Sequence, residues 1–121
     1  MIYLAVDGDD IGRLLTGFIY SDDPDTVAAF SSRVQNYYRG LADLVVSHGG
    51  TVIFCTGDSV LARIPEETLP AAQQYLEGSQ FTSSAGVGDT LRRAHWALNI
   101  AKSLGKDRLV DFARIQEDLC P

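Results

Sequence analysis

Thr51-Val52-Ile53-Phe54-Cys55-Thr56-Gly57-Asp58-Ser59-Val60-Leu61-Ala62-Arg63 is the stretch that decides the fold. Two apolar runs flank Gly57-Asp58, a pair that suits a hairpin turn. The segment therefore reads as an antiparallel hairpin with an acid at its turn. A further apolar run, Ile2-Tyr3-Leu4-Ala5-Val6, stops at Asp7-Gly8-Asp9-Asp10. If these strands are neighbours, the Asp7 and Asp58 carboxylates share one small volume. Hard divalent cations prefer oxygen ligands, and Mg²⁺ typically takes one or two carboxylates plus substrate phosphates. The pair is thus a candidate site for a metal-bound nucleotide.

Working outward, Ile11, Leu14, Leu15, Phe18 and Ile19 recur at helical spacing. Asp9 or Asp10 would cap that helix. Asp23-Pro24 signals a second start, with Pro24 at the first helical position. Val27, Phe30, Val34, Tyr37, Leu41, Leu44 and Val45 then mark a long amphipathic helix, ended by His48-Gly49-Gly50. After the hairpin, Glu66 to Leu76 forms a shorter helix with Leu69, Ala72 and Leu76 inward. Phe81 to Val87 reads as a strand. Leu91, Ala94, Leu98, Ala101 and Leu104 mark another helix, stopped by Gly105, and Arg108 to Phe112 forms a short last strand.

The order is βααββαβα with a terminal β. A strand returning after a long helix usually pairs parallel with the first strand by a right-handed crossover. The first hairpin strand is therefore expected beside the N-terminal strand. The fold class is α+β, with helices packed on a mixed, mostly antiparallel sheet.

The 121 residues predict one domain, 1–121. The chain is 45% hydrophobic and 21% charged, as in a globular core-forming protein rather than a disordered one. No apolar run reaches the ~20 residues of a membrane helix, and because the first strand is short and followed directly by acids it is not expected to be a signal peptide. Cys55 is expected to pack as a small buried residue and Cys120 to lie on a loose tail. Without a disulfide framework, a reducing cytoplasm is the expected compartment. A net charge of −6 argues against binding duplex nucleic acid. It is compatible with a nucleotide whose charge a divalent cation already neutralises.

Asp7 and Asp58 are the candidate metal ligands, with the Gly8 carbonyl as a third oxygen. Asp9 and Asp10 have two readings: one contributes to a second metal, or each caps the helix. The backbone N–H groups of Asp10, Ile11, Gly12 and Arg13 open a helix, and a helix start is an anion site. Lys102, Lys106 and Arg108 cluster after the last helical pattern. They either hold phosphates or complement the helix dipole, and Lys106 leans to the dipole. His48 and His95 lack metal-ligand spacing, and His95 with Trp96 reads as helix-flank packing.

Asp7-Gly8-Asp9-Asp10-Ile11-Gly12, Gly57-Asp58-Ser59, Ser84-Ala85-Gly86-Val87-Gly88 and Ala101-Lys102 through Arg108-Leu109 occur in the order and spacing of a nucleotide-cyclase-like palm domain. The chain resembles the minimal CRISPR polymerases (mCpol), relatives of GGDEF diguanylate cyclases, of the palm of the type III CRISPR large subunit and of GTP cyclohydrolase III. The resemblance implies a ferredoxin-like palm sandwich and two-metal phosphoryl chemistry with Mg²⁺ or Mn²⁺. It implies an NTP substrate, ATP favoured, and at least a dimer. By position it gives Asp7, Asp58 and the Gly8 carbonyl to the metal. It gives the 10–13 backbone, Lys102 and Arg108 to the triphosphate. The implied product is a cyclic dinucleotide, such as 2′,3′-cyclic di-AMP, or a short cyclic oligonucleotide, made for antiviral defence. The turn departs from the relatives: Ser59 stands where they carry a second acid. Three functions stay open: this synthase, a purine ring-opening hydrolase, and a catalytically silent nucleotide sensor.

Overall fold

The computed structural model describes residues 1–115. The tail expected around Cys120 lies outside the described residues. The elements run β1 (Ile2–Gly8), α1 (Ile11–Tyr20), α2 (Pro24–Ser47), β2 (Thr51–Thr56), β3 (Ser59–Ile64), a 3₁₀ turn (Glu66–Thr68), α3 (Leu69–Glu77), β4 (Ser83–Gly88), α4 (Leu91–Ser103), β5 (Arg108–Asp111) and a second 3₁₀ turn (Phe112–Arg114). The expected α+β order is present, including the last strand.

The five strands form one sheet ordered β2-β3-β1-β4-β5. β1 is antiparallel to both β3 and β4, β2 is antiparallel to β3, and β4 and β5 are parallel. The sheet is therefore mixed and mostly antiparallel. One pairing differs from expectation. β2 does not lie against β1; β3 is inserted between them. A hairpin can present either arm to a neighbour, and its arms differ in composition. β3 carries the buried Val60, Ala62 and Ile64, whereas Ile53 and Phe54 of β2 are half exposed. The more thoroughly apolar arm takes the central place.

Local signals set several boundaries. The Asp23 carboxylate accepts the Thr26 N–H at 3.1 Å and caps α2 at Pro24. Gly49, with φ +84°, and Gly50 donate to the Val46 and Val45 carbonyls and close it. The capping expected of Asp9 and Asp10 is not found. Asp10 occupies the N-cap position of α1 in a left-handed conformation and its side chain caps nothing. Both carboxylates are drawn instead to lysines near the end of α4. Phe81 is not in a strand; it is buried in the loop before β4, packed edge-on to Phe30.

Alternation along β1 separates two cores. Leu4 and Val6 face α2 and α3, in a cluster with Phe30, Val34, Tyr38 and Leu41. Ile11, Leu15 and Phe18 of α1 join that side, leaving Leu14 and Ile19 largely exposed. Cys55 is a free, half-buried thiol against the same cluster. On the opposite face α4 sits on β4 and β5, with Ala97, Ala101 and Val110 in contact. Of the expected stripe of α4, Ala94 and Ala101 are buried, joined by Ala97, whereas Leu98 and Leu104 are half-buried and Leu91 is 47% exposed. The cause is β4. A Cβ at Gly86 would lie 2.2 Å from Leu98 N and 2.3 Å from Ala94 O. The helix rests directly on the strand backbone, so only alanines fit between them.

Candidate active site

Asp7 is the last side chain of β1 before Gly8, and its register partner on β3 is Ser59. The Ser59 hydroxyl donates to Asp7 Oδ1 at 2.6 Å. An acid at this position would repel Asp7; the serine orients it. Asp58 follows at the hairpin turn, where Gly57 takes φ +54°. The Gly8 N–H donates to the Asp58 carbonyl at 2.9 Å, which joins the turn to the end of β1. A Cβ on Gly8 would lie 2.9 Å from Asp58 Oδ2 and 2.8 Å from the Tyr38 hydroxyl. Glycine is required there, and the Asp58 carboxylate packs over it. The expected convergence of Asp7, Gly8 and Asp58 is present.

Lys102 stands in the last turn of α4 and reaches this cluster. Its Nζ donates to Gly8 O at 2.9 Å and Asp9 Oδ1 at 2.9 Å, and pairs with Asp7 Oδ2 at 3.1 Å. Burial works to lower the Lys102 pKa, but the bonds to Asp9 and Asp7 outweigh it and hold the ammonium above the usual lysine value. Asp9 is buried, and both its oxygens are committed: Oδ1 to Ser84 Oγ at 2.7 Å and to Lys102, Oδ2 to the Asp107 N–H at 2.9 Å. Burial pushes its pKa up; the Lys102, Ser84 and Asp107 bonds together pull it below the usual aspartate value. Asp9 thus ties β1, β4, α4 and the loop before β5 together. Capping does not describe it, and each of its oxygens already has a protein partner.

Lys106 bonds Asp10 Oδ1 at 2.6 Å, which lowers the Asp10 pKa. Its backbone, at φ +66°, turns it back toward the start of α1 and away from the helix-dipole reading. Arg13 is exposed and lies 3.8 Å from the other Asp10 oxygen. The first turn of α1 presents the N–H groups of Ile11, Gly12 and Arg13, which have no partner within the helix. A Cβ on Gly12 would meet nothing within 4 Å, so that surface is open. Arg108 is not brought to the carboxylates. Its Nε donates to Lys106 O at 3.1 Å, and it lines a separate cleft with Glu77 and Ser83. The roles of Asp9, Lys106 and Ser59 escaped the sequence reading. The small-residue run at β4 was the available signal that α4 lies close enough for Lys102 to reach β1.

Within this cluster Asp58 makes no ion pair among the described residues, and Lys102 acts on it only at longer range. Burial first, and the Asp7 charge second, raise its pKa. Such a group holds its proton more tightly folded than unfolded. Its contribution to stability therefore falls as pH rises from the ordinary value of 3.8 through the raised one. Asp58→Asn is expected to melt a few degrees higher than the native chain at pH 7 without divalent ions. The gain should disappear at pH 3, where both states bind the proton. A calorimetric series across pH checks it, and a destabilised variant at pH 7 contradicts it.

Among the described residues no group of three or more His, Cys, Asp or Glu side chains is arranged to hold a metal. An all-protein cage is thus not built. The oxygen set nevertheless draws positive charge, since the Lys102 ammonium sits on Asp7 Oδ2 and Gly8 O. Two carboxylates and a carbonyl fit a hard divalent ion that completes its shell with phosphate and water.

The profile of the minimal CRISPR polymerase domain matches residues 3–112. The chain belongs to the mCpol family. No curated protein matches it. Among solved structures, the Csm1–Csm4 cassette in complex with cA3 is similar, with a TM-score of 0.71 and 17% identity over 89% of this chain and 20% of that one. The GGDEF domain of DgcB from Caulobacter crescentus, in complex with c-di-GMP, has a TM-score of 0.63 and 17% identity over 93% and 78% of the two chains. A bacterial light-regulated adenylyl cyclase has a TM-score of 0.60 and 14% identity over 96% and 78%. At such identities the likeness shows the fold. The mCpol chain has the nucleotide-cyclase-like palm, as its sequence motifs implied. Among the described residues no helix is long and apolar enough to cross a membrane.

Proposed function

We propose that this mCpol domain is a metal-dependent nucleotidyltransferase. It joins NTPs, with ATP favoured, into a cyclic dinucleotide such as 2′,3′-cyclic di-AMP or a short cyclic oligonucleotide. The product serves as a second messenger in antiviral defence. The observation that carries the reading is the convergence of Asp7, Asp58 and the Gly8 carbonyl beside the open first turn of α1. Family membership supports polymerase chemistry. Structural relatives that hold cA3 and c-di-GMP support a cyclic product.

Asp7, Asp58 and the Gly8 carbonyl would hold Mg²⁺ or Mn²⁺, which supplies charge neutralisation at the phosphates. The N–H groups of residues 10–13 receive the outer phosphates. Lys102 has a long flexible stem, and its ammonium moves from the strand-end oxygens to the triphosphate. A ribose hydroxyl of one nucleotide attacks the α-phosphorus of another. A new P–O bond forms, the bond to the β-phosphate bridge breaks, pyrophosphate leaves, and the hydroxyl proton passes to water. A second such step closes the ring. One copy presents one nucleotide, so the reaction needs at least two copies facing each other.

Incubation with each NTP and Mg²⁺ or Mn²⁺, followed by mass spectrometry, tests this. A cyclic nucleotide with pyrophosphate is the expected result. An opened purine ring would assign the hydrolase, and unchanged but bound NTP the sensor.

A further inference from the structure

On the α4 face of the sheet a cleft of about 740 Å³ begins at the carboxylate site and is used by nothing described above. It runs from Asp7, Ser59 and Lys102 back along β1 to Ala5. Its origin is the placement of α4. The close contact at Gly86 and Gly88 holds the helix over β4, so β3 and the edge strand β2 stay uncovered on this side. Small-molecule sites typically occupy ~300–1,000 Å³ and combine apolar walls with a few polar groups. Here Phe54 and Leu61 of the hairpin and Leu98 of α4 provide apolar surface, while His95 and Asn99 add polar heads. Phe54 is 45% exposed although its neighbours in the cleft are apolar. His95 and Asn99 are one turn apart on α4, and Lys102 continues their row to the carboxylates.

Lys102 stands where the cleft meets the carboxylates, and the other groups proposed for the phosphates lie on the opposite side of Asp7 from the cleft. The open amides of α1, with Arg13 and Lys106, are beyond the end of β1; the cleft extends back along the strand. A nucleotide has the same polarity, with an anionic tail at one end and a flat heterocycle at the other. We propose that this cleft is the nucleobase subsite, with Phe54 as its stacking face and Asn99 as the amide that reads the base. An amide offers a donor and an acceptor together and pairs bidentately with the N6 and N7 edge of adenine. The inference rests on the nucleotide reading of Asp7 and Asp58.

Calorimetric binding of ATP, GTP and inorganic tripolyphosphate, each with Mg²⁺, tests it on the native chain and on Phe54→Ala and Asn99→Ala. Phe54→Ala should weaken ATP roughly tenfold. Asn99→Ala should bring the ATP-to-GTP affinity ratio toward one. Tripolyphosphate affinity should be unchanged in both variants. Native affinity and native ratio in both variants would overturn the subsite, as would a native chain without base preference for the role of Asn99. A drop from dimer to monomer in Phe54→Ala, with the base ratio intact, would also overturn it and assign the cleft to a second copy of the chain. A native chain that binds tripolyphosphate and no nucleotide overturns the nucleobase subsite alone. Binding of none of the three overturns the nucleotide reading itself.

Discussion

Asp7→Asn is expected to lower product formation about 10³-fold or more, equivalent to roughly 4 kcal/mol of lost transition-state stabilisation. The substitution keeps the shape of the side chain and its acceptor for Ser59, which donates to Oδ1 at 2.6 Å. It removes the negative charge that would hold a divalent ion against the α-phosphate. The fold should survive, because the Lys102 ammonium retains Asp9 and the Gly8 carbonyl. The readouts are initial rates of product formation and a melting curve. A variant that keeps a tenth of native activity removes Asp7 from the ligand set. A variant that loses activity together with its melting transition reports a structural residue instead.

The largest effect on stability is expected at Gly86. A methyl group there would lie 2.2 Å from Leu98 N and 2.8 Å from the Ala97 carbonyl carbon. These are backbone atoms in the middle of α4, so no side chain can swing aside. Gly86→Ala must push the helix away from β4, and overpacking of this kind costs about 3 kcal/mol or more. For a domain of this size the melting temperature should fall by about 10 °C or more. Activity should fall further, because α4 carries Lys102. Gly17→Ala is the matched control. It sits in the exposed interior of α1 with nothing within 4 Å of the new methyl group. It should stabilise the chain by up to about 1 kcal/mol through helix propensity. Equal melting temperatures for Gly86→Ala and the native chain would contradict the close contact.

What the sequence made legible was local. Asp23-Pro24, Gly49-Gly50 and Gly57-Asp58 encode their turns within a few residues, and each falls where its chemistry requires. The meeting of Asp7 and Asp58 was readable because both acids end strands of one sheet. The order of those strands was not, since the choice between β2 and β3 as the partner of β1 depends on burial across the whole sheet. The partners of Asp9 were hidden for a related reason. Its partners Ser84, Lys102 and Asp107 lie 75, 93 and 98 positions away. No spacing rule reaches that far, and an acid before a helix looks like a cap. Lys106 looked like a dipole partner because the pattern hides its left-handed backbone. The alanine stripe of α4 follows from the glycines of another strand, which only tertiary contact reveals.

The lysine lodged on the end of β1 bears on how a new copy of this chain matures. Acidic centres often wait for an ion from solution before they settle, and small zinc domains fold only when metal arrives. Here the polypeptide carries its own counter-charge at that strand end. If the site takes a divalent ion as proposed, loading would exchange one positive charge for another and would follow the free ion and nucleotide supply instead of being fixed at birth.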